Sequence, residues 1–153
     1  VGVDAMRYFF AMRAPSSHLD FDMNLAKEQS SSNPVYYAQY AHARLTSIIA
    51  QGADIGIDIE ASKLEKPSEI ELLKHLANFP NVISDAAKER APFKITNYIH
   101  DLATLVHGFY TECRVIDRND IAVSSSRLAL CQASKQVMKN ALNLIGVGAP
   151  DHM

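Results

Sequence analysis

Residues 92–113 read PFKITNYIHDLATLVHGFYTEC, with Ile95, Ile99, Leu102, Val106, Phe109 and Cys113 recurring every three or four positions. Proline at a helix start costs no backbone hydrogen bond, and this spacing lays six apolar side chains on one helical face. The stretch predicts a long helix with a buried stripe, so the partners of that stripe decide the fold. Downstream, a polar turn at 117–120 leads to Ser124, Ser125 and Ser126, which offer caps for a last helix. Leu130, Val137, Met138, Ala141 and Ile145 share one side of it, and Gln132, Lys135, Gln136, Lys139 and Asn143 the other. Gly146 suits its C-terminal cap.

Upstream, the same reading predicts more helices. Ser68 with Glu71 forms a capping-box pattern, and Ile70, Leu73, Leu76 and Ala77 line one face before Phe79-Pro80 ends the segment. A short helix over 81–90 follows, closed by Pro92. Residues 52–67 hold two glycines and no sustained period, which predicts a long loop. Asn33 as cap and Pro34 at the first helical position open a helix running to about Gln51. Nearer the start, Asp4 caps a short helix with Met6, Phe9 and Phe10 on one face, stopped by Pro15. His18-Leu19-Asp20-Phe21-Asp22 alternates at period two and predicts an extended segment. The fold class is all-α: a helical bundle of about four or five helices over 31–153, preceded by residues 1–30, whose partners lie elsewhere.

Composition narrows the function classes. With 48% hydrophobic and 21% charged residues, the 153-residue chain has the balance of a folded globular domain, not of a disordered one. No apolar run reaches the roughly 18–20 residues that cross a bilayer, and no basic and apolar leader opens the chain. Cys113 and Cys131 form no CxxC pair, which fits a reducing, cytoplasmic setting with no membrane partner. GxSxG, Gly-rich phosphate loops and HExxH are absent, so no catalytic or metal-ligating residue is assigned. His18, Asp20 and Asp22 share a side of the extended segment but lack further ligands, and solvated acids are the commoner reading. His75, His100 and His107 look scattered. A net charge of −2 does not mark a nucleic-acid binder.

One segment argues the other way. Half of the six tyrosines fall within residues 35–44, and Tyr37, Tyr40 and Arg44 stand at i, i+3 and i+7. Two rings and a planar cation on one face suit stacking against unpaired bases. The same residues also suit packing within the bundle, or a protein-binding scaffold with no enzymatic role, because Tyr and Arg are enriched at protein interfaces.

Several segments resemble the arginyl-tRNA synthetase family, of the class I aminoacyl-tRNA synthetases. Residues 3–10 resemble the helix after the family's KMSKS loop, and 17–22 the stretch that follows. Residues 33–37 and 39–44 resemble the first helix of its anticodon-binding domain. Residues 109–115 and Arg127-Leu128-Ala129-Leu130 resemble two further blocks of that helical domain, called DALR after a related signature whose leading Asp is here Ser126. Residues 139–153 resemble the family's ending, final Met included.

The resemblance implies a ligase of protein biosynthesis that joins arginine to tRNA(Arg) using ATP as substrate. The HIGH and KMSKS motifs that bind ATP are absent, so the expectation is a catalytically inactive fragment with no cofactor of its own. Its expected partners are the anticodon loop and an upstream catalytic domain, of which residues 1–30 would be the tail. The residues the resemblance places at the anticodon are Tyr37, Tyr40, Arg44, Tyr110, Arg114 one helical turn after Tyr110, and Met153.

Overall fold

The computed structural model describes residues 1–18, 20–57 and 63–153. Leu19 of the expected extended segment and residues 58–62 of the expected long loop lie outside that description. The described residues form α1 (Val3–Ala11), a 3-10 turn (Leu25–Lys27), α2 (Pro34–Gln51), α3 (Pro67–Ala77), α4 (Phe79–Glu89), α5 (Phe93–Glu112) and α6 (Ile121–Leu144). Among them there is no strand, so the all-α expectation stands. At the end of the expected extended segment, Asp22 Oδ1 accepts the N–H groups of Asn24 and Leu25 at 2.8 and 3.1 Å, which starts the 3-10 turn.

Helix α5 is the axis of the bundle and touches all five other helices. Its predicted stripe is buried from Ile95 to Phe109, with Cys113 just past the helix end. Against it pack Leu45 and Ile48 of α2, Leu72 of α3, and Leu128, Met138 and Leu142 of α6, all in one continuous core. The apolar face expected of α1 divides. Ala5, Tyr8 and Phe9 join that same core, with the Tyr8 hydroxyl donating to the Thr96 carbonyl at 3.2 Å, whereas Met6 and Phe10 stay exposed.

Four helix starts differ from the sequence reading. Helix α1 begins at Val3 with Gly2 at its N-cap, so Asp4 lies inside the first turn and does not cap it. Helix α3 begins at Pro67 with Lys66 at its N-cap, and Glu69 in its first turn reaches back, its Oε2 accepting the N–H groups of Glu65 and Lys66, both at 2.9 Å. Ser68 and Glu71 do not form the box. Glu69 and Leu72 are the buried positions of α3, and Ile70, Leu73 and Leu76 are only half-buried. Asn78 alone separates α3 from α4, and Phe79-Pro80 opens α4 instead of only ending α3, because Pro80 is tolerated in the first turn. Helix α6 starts at Ile121, capped by Asp120 through the Val123 N–H at 3.1 Å. Ser124, Ser125 and Ser126 are thereby drawn inside the helix and buried; Ser124 both donates to the Asp117 carbonyl and accepts the Asp117 N–H.

After α6 the chain turns back through Gly146, whose φ is +69°, a left-handed conformation that costs other residues roughly 1–2 kcal/mol. The Gly146 N–H bonds to the Asn143 carbonyl and that of Val147 to the Leu142 carbonyl. Val147 plugs the core, and the remaining residues run back along α2. This reversal places Met153.

Candidate nucleic-acid interface

Two neighbouring strips of α2 perform separate tasks. Gln39, His42 and Thr46, at i, i+3 and i+7, hold the terminal segment. Gln39 Nε2 donates to the Gly148 carbonyl at 3.0 Å and to Asp4 Oδ2 at 2.8 Å. His42 Nδ1 lies 2.9 Å from the Pro150 carbonyl oxygen, which can only accept, so Nδ1 carries the proton. Thr46 Oγ1 donates to Asp151 Oδ1 at 3.1 Å, and Lys135 of α6 pairs with the same carboxylate at 2.8 Å. His42 is fully buried, and burial lowers its pKa against the weaker opposing pull of the Pro150 carbonyl; the ring is therefore neutral at neutral pH.

Beside that strip, Tyr40, Ala43, Arg44, Ser47, Ile48 and Gln51 of α2 face Tyr110 of α5 and the clamped His152 and Met153. They enclose an open depression of about 280 Å³. Arg44 organises it: Nη1 donates to the Tyr40 hydroxyl at 2.9 Å, and the guanidinium carbon lies 4.1 Å from the centre of the Tyr110 ring. Burial opposes the Arg44 charge, but contacts with Tyr110 and Tyr40 outweigh it and raise the pKa. Tyr40, Tyr110 and Met153 remain 37%, 39% and 55% exposed, so each offers apolar surface to a visitor.

Four of the six expected residues, Tyr40, Arg44, Tyr110 and Met153, therefore meet at one place. Tyr37 does not line it. Its ring leans on His100 and His107 of α5, with centroids 5.5 and 4.9 Å away, and its hydroxyl is 3.4 Å from Thr104 Oγ1. Nor does Arg114 follow Tyr110 by one helical turn: α5 ends at Glu112, and Cys113 is already extended. Arg114 instead lines an adjoining depression with Tyr110, Ile48 and Gln51. A larger hollow of about 610 Å³, between α1 and α5, contains none of the six.

Arg127, of the signature-like block, is also placed by the structure. It is buried, its Nε donates to Glu69 Oε1 at 2.6 Å, and its Nη1 donates to the Arg114 carbonyl at 2.9 Å. One guanidinium thus ties α6 to the start of α3 and to the segment that carries Arg114. Sequence reading missed this pair, the tail clamp, and the grouping of His100 with His107 around Tyr37. The seven-residue spacing of the two histidines was visible, but the helix that would meet them was not.

Among the described residues no group of three or more His, Cys, Asp or Glu side chains is placed to hold a metal ion. Among them, too, no helix is long and apolar enough to cross a membrane.

Comparison with known proteins places the chain in a family. A family model described as the DALR anticodon binding domain matches residues 38–153. The arginine–tRNA ligase of Shouchella clausii is 51% identical over 157 residues, covering 100% of this chain and 28% of that protein. Arginine–tRNA ligase 2 of Bacillus thuringiensis subsp. konkukian is 49% identical over the same shares. The solved arginyl-tRNA synthetase of Thermus thermophilus superposes with a TM-score of 0.80 at 27% identity, over 98% of this chain and 26% of that one. The chain thus spans little more than a quarter of the length of these relatives.

Proposed function

The chain belongs to the DALR anticodon binding domain family, and from that premise we propose that it holds the anticodon loop of tRNA(Arg) for an arginine–tRNA ligase. The observation that carries this reading is the convergence of Tyr40, Arg44, Tyr110 and Met153 on one open depression. Two partly exposed rings offer stacking surface, the guanidinium fixes their separation, and a thioether is soft enough to lie against a base. Arg114, at the adjoining hollow, is the cation within reach of a phosphate. Tyr37 supports the site from the side.

On this proposal the chemistry of the whole enzyme, ATP activation of arginine and transfer to tRNA, belongs to a catalytic unit that this chain partners in the cytoplasm. Residues 1–30 continue toward that unit and 31–153 read the RNA. Exposed Val3, Met6, Phe10 and Met23 suit the first role, and the tyrosine-bearing helices the second.

The test is equilibrium binding of a tRNA(Arg) anticodon stem-loop across a range of salt concentrations. The affinity should fall on a logarithmic plot with a slope of about −0.7 for each phosphate neutralised, so an overall slope of roughly −1 to −2 is expected from so few cations. A chain that ignores the stem-loop, yet captures a protein partner with little salt dependence, would put the scaffold reading in its place.

A further inference from the structure

Beyond Tyr40 lies a second hollow of about 440 Å³, lined by Ser31, Tyr36, Tyr37, Tyr40 and His107. Four of its five lining residues are aromatic, and three are successive contributions of α2 to one edge. Tyr36 and Tyr40 are nearly parallel, at 12° with centroids 6.2 Å apart, because i and i+4 lie one above the other on a helix. His107 of α5 forms the floor, 22° from the Tyr40 plane with centroids 6.1 Å apart, and it also packs on Tyr37 at 4.9 Å. Tyr40 lines both this hollow and the one that holds Arg44, Tyr110 and Met153, so it is a shared wall.

We propose that the Tyr36–Tyr37–Tyr40–His107 hollow is a second nucleobase-stacking subsite, which takes the loop nucleotide next to the one held against Tyr110 and Met153. The proposal rests on the anticodon-loop reading and deepens it by making Tyr36, Tyr37 and His107 base contacts as well. Three features favour an unpaired base over a phosphate or a charged side chain. The walls are rings, which present π-faces to any base. No cation lines the hollow, since Arg44 is turned to the other side of Tyr40. The floor is uncharged as well: burial, and then the charge of Arg44, lowers the pKa of His107. Two hollows sharing one ring hold two bases in fixed order, which would make recognition depend on a dinucleotide step.

The experiment measures binding of the 153-residue chain to the tRNA(Arg) anticodon stem-loop and to a series with each loop nucleotide in turn made abasic. Tyr36→Ala should weaken the intact stem-loop about five- to ten-fold, and Tyr36→Phe, which keeps the ring, should bind close to the unaltered chain. For one abasic position the Tyr36→Ala loss should vanish. Tyr110→Ala should lose its effect at the adjacent position and keep it at the first. Helical content by circular dichroism checks that each variant is folded, and Tyr36→Leu serves if the alanine variant is not.

If Tyr110→Ala weakens binding but Tyr36→Ala and Tyr36→Leu do not, the second subsite is overturned and the first stands. A Tyr36 loss equal at every abasic position would also overturn it, because the ring would then act through the fold. If neither tyrosine matters, the anticodon-loop reading itself fails.

Discussion

Replacing Arg127 by alanine should lower the unfolding free energy by about 3–5 kcal/mol, the range expected when one partner of a buried ion pair is removed. Glu69 is 1% exposed, and in the variant its carboxylate would face the core with only the Glu65 and Lys66 N–H groups on its other oxygen. The Arg114 carbonyl would lose its donor as well. Urea denaturation of Arg127→Ala, Glu69→Gln and the double variant measures the effect. The double variant should lose less than the sum of the single ones, because neither charge is then left alone.

Acid should act on the same pair. Burial works to raise the Glu69 pKa, but the Arg127 hydrogen bond, the Lys66 N–H, the Arg127 charge and the Glu65 N–H together bring it below its ordinary 4.5. A carboxylate depressed in the folded state contributes stability that is present above about pH 4.5 and lost as pH falls through the lower folded value. His42 and His107, both held below the ordinary 6.5, act earlier in the descent. Between their folded values and 6.5 the unfolded chain binds protons that the folded chain refuses, so stability falls as pH drops through that window. Unfolding free energy should therefore decline in two stages on acidification, and Glu69→Gln should shrink only the second, the lowered carboxyls of Asp54 and Asp151 keeping part of it.

Tyr110→Ala should weaken stem-loop binding ten- to hundred-fold, that is by about 1.4–2.8 kcal/mol, within the range of 1–3 kcal/mol for a stacked base. Two losses combine. The ring is a wall of the depression, and it is also the surface on which the Arg44 guanidinium rests 4.1 Å from the centroid. Without it, Arg44 keeps only its bond to Tyr40 and the separation of α2 and α5 rings is no longer fixed. Tyr110→Phe retains the ring and should lose less than three-fold by roughly the same reasoning. Tyr110 is 39% exposed, so the fold should tolerate both changes and the loss should appear in affinity rather than in unfolding.

The helices were legible because apolar spacing and terminal signals agreed. Pro34 and the cap at Asn33 placed α2, and the Ile95-to-Phe109 stripe placed α5. The α3 face was misread because a buried glutamate looks polar in sequence: Glu69 turns inward only because Arg127, 58 residues later, supplies the charge. The start of α6 was misread because three consecutive serines outweighed Asp120, a single residue that does the capping. Of the site, Tyr40 and Arg44 could be grouped from one helix, but their meeting with Tyr110 depends on the packing of α2 on α5. The position of Met153 depends on Gly146, Val147 and the clamp of Gln39, His42 and Thr46, long-range contacts that no local pattern encodes.

The central claim is that the depression between Tyr40, Arg44, Tyr110 and Met153 reads a base of the anticodon. The most direct measurement is the ratio of affinities for the tRNA(Arg) stem-loop and for one altered at the central anticodon base, in the chain and in Tyr110→Ala. The account predicts a preference of roughly ten-fold or more for the unaltered loop, falling to near unity in the variant. Equal affinity of the native chain for both loops would contradict it.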